Sequence, residues 1–308
     1  MRAGGRTQIA VEGARAATVV SLERQPAADV FKGRVFKGVL PLGIGFALAG
    51  LVWLIADTMA EGAGRLSWDL ISAEGSSNPE EAGMWPAIVG SVYLMLGVIT
   101  LVVPLGVGAA LYLEEYADKE RWWNRLVELN IQNLAGVPSI VYGILGLAFI
   151  VRGPLDLGFI LFAGSITLAL LVLPTVVLAS REAIRAVPDS IRQGALALGA
   201  TKWQMIRRQV LPASVPGIAT GLILAISRAI GETAPLLLVG ATVFVTFDPS
   251  FFGDKGYTAL PTQIFEWVRR PQDEFRVLAA AGILILLALL LAMNSFAIWL
   301  RNRYEQRW

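Results

Sequence analysis

Polar and apolar residues fall along this chain in long blocks, without the short periods of a soluble helix or strand. Apolar blocks run over about 38–56, 86–113, 131–151, 157–180, 213–233 and 277–300. Each exceeds the roughly 18 residues that mark a helix able to cross a membrane. The pattern therefore predicts an all-α integral membrane protein with six transmembrane helices. The fifth block is followed by more apolar sequence. Ala213 to Phe247 is 35 residues, about 52 Å as one helix against a hydrocarbon core of about 30 Å. Pro235 is the expected break, because proline removes a backbone donor and clashes with the preceding turn. An interfacial helix outside the membrane is expected at 259–270, with Trp267 between Phe265 and Val268.

The polar blocks differ in charge. Residues 1–35 are basic and small, and predict a mobile cytoplasmic tail ahead of a transmembrane domain at 36–303 and a short end at 304–308. Residues 57–85 carry Asp57, Glu61, Asp69, Glu74, Glu80 and Glu81 against a single Arg65. Of the 26 Lys and Arg, 19 lie in segments on the N-terminal side of the six crossings, 6 on the other side, and Arg228 within a span. The positive-inside rule then places both termini and the 181–212 loop in the cytoplasm.

Composition sharpens this picture by exclusion. With 55% hydrophobic and 16% charged residues and a mean hydropathy of +0.61, the chain is far from soluble-domain averages. It has no cysteine and no histidine, which removes thiol and imidazole catalysis and the softer metal ligands. No catalytic residue, metal, cofactor or nucleic-acid partner is expected. No Gly-x-x-x-x-Gly-Lys-Ser/Thr sequence occurs. The nearest run, Gly194 to Thr201, has Ala200 in place of the lysine, so it cannot cradle a nucleotide as a P-loop does.

Two features carry candidate chemistry. The 181–212 loop reads as helix, glycine turn, helix. Ser190 with Gln193 and Thr201 with Gln204 have the spacing of capping boxes. Gly199 suits a helix C′ position, and Leu211-Pro212 suits a stop. The first helix, around Gln193, Gly194, Ala195, Leu196 and Leu198, is apolar for a cytoplasmic loop. It either packs on its own membrane helices or docks into a groove on another protein. The second feature is Arg228 with Glu232, four residues apart inside a span. Gly217, Gly221 and Ala225 share their face, and the two glycines have the spacing of a close helix contact. The pair is either an internal salt bridge tolerated at a helix interface or part of an anion pathway, since a guanidinium matches a phosphate-like oxyanion.

The loop resembles the EAA motif of ABC importer permeases. Gln193-Gly194-Ala195, Gly199 and Leu211-Pro212 stand at the motif's positions, with Gln193 where the motif has glutamate and Gln209 where it has isoleucine. Within that family, Asn133-Leu134-Ala135-Gly136-Val137-Pro138-Ser139-Ile140-Val141-Tyr142-Gly143 and Ala229-Ile230-Gly231-Glu232-Thr233-Ala234-Pro235 are similar to segments of phosphate importer permeases of the A type. Leu260-Pro261-Thr262-Gln263-Ile264 and Arg270-Pro271-Gln272 are similar to that type's outer loop.

The resemblance implies a type I importer permease fold in the bacterial cytoplasmic (inner) membrane, and phosphate as the substrate. The implied partners are a second, C-type permease subunit as heterodimer, two ATP-binding subunits and an extracytoplasmic phosphate-binding protein. It implies a coupling role for Gln193, Gly194, Ala195, Leu196, Gly199, Leu211 and Pro212, and a pathway role for Arg228 and Glu232. Ser139 and Tyr142 read as helix packing. Phosphonate, sulfate or molybdate would suit the charge pair equally, and a stand-alone secondary transporter would need internal repeats that the sequence does not display.

Overall fold

The computed structural model describes residues 27–304 apart from 119, 242–244 and 254–255, with the backbone alone for 27–34 and 304. The expected N-terminal tail lies largely outside these residues, as does the C-terminal end beyond Tyr304. The chain divides into two units, Met1–Asp57 and Thr58–Trp308. In the first unit the described residues belong to helix α1 (Ala27–Gly62), which starts well before the expected apolar block.

The second unit is helical. Its elements are α2 (Trp68–Ser72), α3 (Trp85–Leu111), α4 (Trp122–Ala135), α5 (Ser139–Leu145), α6 (Leu161–Arg185), α7 (Asp189–Ala197), α8 (Lys202–Met205), α9 (Leu211–Ile230), α10 (Ala234–Leu238), α11 (Leu260–Arg269) and α12 (Asp273–Tyr304). Five helices among the described residues are long and apolar enough to cross a membrane. They are Val35–Arg65, Trp85–Tyr116, Leu161–Arg185, Lys202–Ile230 and Asp273–Arg303. A sixth crossing is made of two pieces, Trp122–Ala135 and Ser139–Val151, bent by 107°.

That bend divides the third span, expected over 131–151, at Pro138. Pro138 cannot continue the first helix and pushes Val137 out of the helical region. The Tyr142 hydroxyl donates to the Leu134 carbonyl at 2.9 Å and braces the corner. None of α4 is buried, and Trp122, Trp123, Leu126 and Leu129 stay exposed. The α3 and α6 helices end on the same side, where Arg185 of α6 lies 3.2 Å from Glu114 beyond α3. The bent pair therefore supplies the one return crossing between them.

Helix ends also shift from expectation. Helix α6 runs on to Arg185, so Arg181 and Arg185 are helical and not loop residues. After α3 a π-helical turn, Tyr112–Tyr116, carries Glu114 and Glu115. Trp267 of α11 is not an interfacial anchor. It is buried, with its ring 6.5 Å from that of Phe275.

The core sits where α3, α6 and α9 meet. Leu94, Val98 and Val102 pack with Leu168, Val172 and Val176, and Ala225 and Ala229 close the cluster. In a bilayer such helices gain little from apolar burial alone, and they associate by close packing. A Cβ on Gly106 would stand 2.7 Å from Val176 Cγ1, and one on Gly221 would stand 2.4 Å from Ala179 Cβ. Gly217 meets Ala183 in the same way, at 2.7 Å. The expected small-residue stripe is thus the α6–α9 contact. Gly221→Leu should force these helices apart, at a cost of about 1–3 kcal/mol. The expected outcome is a lower unfolding temperature of the purified protein in detergent, while Leu224→Ala on the exposed face leaves it unchanged.

Candidate functional site: a docking loop joined to a charge pair

The loop between α6 and α9 begins with Val187-Pro188. Proline fixes φ and ends α6, and α7 starts directly after it. The expected Ser190 capping box is absent. Pro188 holds the N-cap position with no side-chain bond to the helix. Asp189 in the first turn supplies the favourable negative charge. Helix α7 ends at the glycine turn as expected. Gly199 has φ +82°, a left-handed conformation that glycine adopts at no steric cost. The Thr201–Gln204 capping box is present. Thr201 Oγ1 accepts from Gln204 N at 3.3 Å, and Gln204 Oε1 accepts from Thr201 N at 2.9 Å.

Leu211-Pro212 is not a stop. Helix α8 passes through a π-helical turn, Ile206–Val210, directly into α9. Leu211 N–H bonds back to the Ile206 carbonyl, one residue further than in an α-helix. The widened turn takes up the missing donor and the ring of Pro212. Pro216 follows one turn on, and Thr220 Oγ1 donates to its carbonyl at 2.9 Å. Lys202–Ile230 is therefore one continuous element of 29 residues, about 43 Å long.

The coupling candidates of α7 and its glycine turn lie on the outer side of the loop, whereas Leu211 and Pro212 are half-buried. Gln193, Gly194 and Leu196 are exposed, and Ala195 is half-buried against the inner cluster of Ile206 and Val210. Leu198, 91% exposed, and Trp203 extend this surface past Gly199. Of the two readings of the apolar loop helix, the one in which its own membrane helices cover it does not hold for Leu196 and Leu198.

A polar cluster that the sequence reading missed lies beneath the loop. Arg181 of α6 is buried, 3.5 Å from Glu114 and 3.0 Å from Glu128 of α4. Arg185 lies 3.2 Å from Glu114, and Arg192 of α7 lies 3.0 Å from Glu115. The sequence signal was a run of adjacent carboxylates, Glu114-Glu115, at the end of one apolar block, facing three arginines spaced along the next charged segment.

At the other end of the rod, Arg228 sits in the last turn of α9, where a cation complements the helix dipole. Its Nε lies 3.3 Å from Glu232 Oε1. Glu232 is not on the helix, which ends at Ile230 with Gly231 as its cap. The Arg228 side chain is 44% exposed and that of Glu232 16%. The break at Gly231–Thr233 leads into α10, with Pro235 in its first turn instead of at the break. There the segments 133–143 and 229–235 meet: a Cβ on Gly143 would stand 2.6 Å from Pro235 Cα. Next to Arg228, Ser227 Oγ lies 2.7 Å from both the Ile223 carbonyl oxygen and the Asn294 side-chain amide of α12.

Sequence comparison matches residues 102–306 to the family described as "Binding-protein-dependent transport system inner membrane component". The chain is 36% identical over 257 residues to the phosphate transport system permease protein PstA of Yersinia pestis, covering 82% of this chain and 84% of that protein. It is 38% identical over 251 residues to the PstA of Mycobacterium leprae, covering 78% and 80%. Among solved structures it is similar to a chain of a bacterial ABC transporter involved in the import of the acidic polysaccharide alginate. That match has a TM-score of 0.60 and 16% identity, over 91% of this chain and 99% of that one. A chain of the MetNI methionine ABC transporter in an inward-facing conformation gives a TM-score of 0.57 at 15% identity, over 73% and 95%. At those identities the structural likeness speaks for the fold alone.

The capping box predicts a local effect. Thr201→Ala should cost α8 about 1 kcal/mol. The expected outcome is faster amide hydrogen exchange across 202–206 in the purified protein, with exchange in α6 unchanged.

Proposed function

This chain belongs to the family of binding-protein-dependent transport system inner membrane components, and we propose that within it the chain is the A-type permease subunit of an ATP-driven phosphate importer. It is a multi-pass protein of the inner membrane. It would pair with a C-type permease subunit, take its energy from two ATP-binding subunits docked on loop 181–212, and receive phosphate from an extracytoplasmic binding protein. In that scheme the exposed surface of Gln193, Gly194, Leu196 and Leu198 meets the ATP-binding subunit. Gly199 with φ +82° turns the chain into the rod, and Leu211 and Pro212 lie within it.

The observation that carries the reading is the half-exposed guanidinium of Arg228 at the end of an apolar helix. A charge facing lipid is costly, and intramembrane arginines face a bundle interior or a water-filled path. Arg228 is only partly covered by this chain. Its exposed side would therefore face the pathway formed with the partner subunit. There the planar fork suits a phosphate oxyanion. Glu232, 3.3 Å away, would hold the guanidinium between passages and keep anion binding weak enough for release. The relatives' names favour phosphate over other oxyanions.

Uptake of labelled phosphate and labelled sulfate by the reconstituted complex tests the reading. ATP-dependent uptake of phosphate but not sulfate is expected. Uptake by this chain alone, or preference for sulfate, would contradict it. Arg228→Gln removes a charge-assisted bond of about 1.5–3 kcal/mol, or about tenfold to a hundredfold in rate. It should lower phosphate uptake by that factor without loss of subunit assembly. Glu232→Gln should leave phosphate retained in the complex, seen as slower release after a single loading.

A further inference from the structure

Helix α7 is held in place by very little apolar burial. None of its residues is fully buried, and Ile191, Arg192 and Ala195 form its half-covered inner side. What fixes it is Arg192. Its Nε and Nη2 lie 3.1 and 3.0 Å from Glu115 Oε1, and Nη2 also donates to the Ile184 carbonyl at 2.8 Å. Nη1 donates to the Val187 carbonyl and lies 3.2 Å from Asp189. The fork thus joins three elements: the end of α6, the start of α7 and the π-helical turn that closes α3. Arg192 and Glu115 are only 15% and 7% exposed. Glu115 belongs to the same rigid turn as Glu114, which is clamped by Arg181 and Arg185.

Helix α3 runs from this turn to the opposite face. There Trp85 Nε1 donates to Asp248 at 2.9 Å and Ser91 Oγ accepts from Leu260 N at 2.8 Å. The outer loop is therefore fastened to α3. A displacement of α7 has two rigid outlets. One is the helix Lys202–Ile230, reached through the Gly199 turn. The other is α3, reached through Arg192.

We propose that Arg192 and Glu115 are positioning residues that couple the docking loop to α3, so that one movement of α7 reaches the charge pair through α9 and the outer loop through α3. This rests on the importer reading above. Arginine is required because its donors are shared among two carboxylates and two carbonyls in fixed directions. Lysine keeps the charge but cannot span them. Removing Arg192 takes from the buried Glu115 its 3.0 Å ion pair, and removing Glu115 leaves Arg192 with Asp189, which is exposed.

The test uses the assembled, reconstituted complex and reads phosphate taken up per ATP hydrolysed. Arg192→Met and Glu115→Ala are expected to lower that ratio about tenfold while ATP hydrolysis persists, equivalent to about 1.4 kcal/mol of lost coupling. Glu115→Gln, which retains an acceptor, should recover most of it. Arg192→Lys should fall between. A ratio within twofold of the native complex for both Arg192→Met and Glu115→Ala would overturn the proposal. Independently, spin labels at Tyr112 and Ser190, both exposed, report the link without removing a partner of Arg192, since the chain has no native cysteine. Their separation should be the same with and without nucleotide, and a separation that changes would overturn the link. Absence of phosphate uptake by the native complex would instead sink the importer reading itself.

Discussion

The helix that carries proline at positions 212 and 216 runs on without a break, and its backbone is widened just ahead of the first of them. The π-helical turn at Ile206–Val210 does this. It carries the chain from the capped start at Thr201, past both prolines, to Arg228 without a break. Everything proposed for the molecule depends on that continuity. A bent or interrupted helix at Leu211-Pro212 would leave the docking loop mechanically separate from the charge pair.

Around the rod, polar and close contacts replace the apolar burial that a soluble protein would use. Gly217 and Gly221 let α9 lie directly on Ala183 and Ala179 of α6. Ser227 with Asn294, and Thr220 with Arg301 at 3.1 Å, tie it to α12. At the loop end, the ion pairs of Arg181, Arg185 and Arg192 hold α3, α4, α6 and α7 together. Buried pairs of this kind add little net stability, but they are costly to break one partner at a time. They suit a joint that must keep its geometry while it moves. The pair at the far end differs, being bonded on one side and open on the other.

Much of this was legible in the sequence, and the failures have physical causes. The long apolar blocks match the helices able to cross a membrane. Gly199 and the Thr201–Gln204 pair were readable because they act locally. Leu211-Pro212 misled because the rule that proline stops a helix ignores the π turn, which is set by the tertiary path of the chain. Pro138 fell within the expected span 131–151, and the 107° corner at it shows only in the fold, where Tyr142 reaches Leu134. Trp267 was placed in an interfacial helix with Phe265 and Val268, and only the fold shows it buried beside Phe275 of α12. The arginine–carboxylate cluster was missed because its partners lie far apart in the chain, and only the fold brings Glu114, Glu115 and Glu128 to the three arginines.

The central claim is that Lys202–Ile230 moves as one rigid element between the docking surface and the charge pair. Spin labels at Trp203 and Leu224, both exposed, lie about 32 Å apart along such a helix. Double electron–electron resonance on the assembled complex measures that distance. A single narrow distribution that is the same in the nucleotide-free and ATP-bound states is predicted. A distribution that shortens or splits when ATP binds would show the element bending at Ile206–Val210 and would contradict the account.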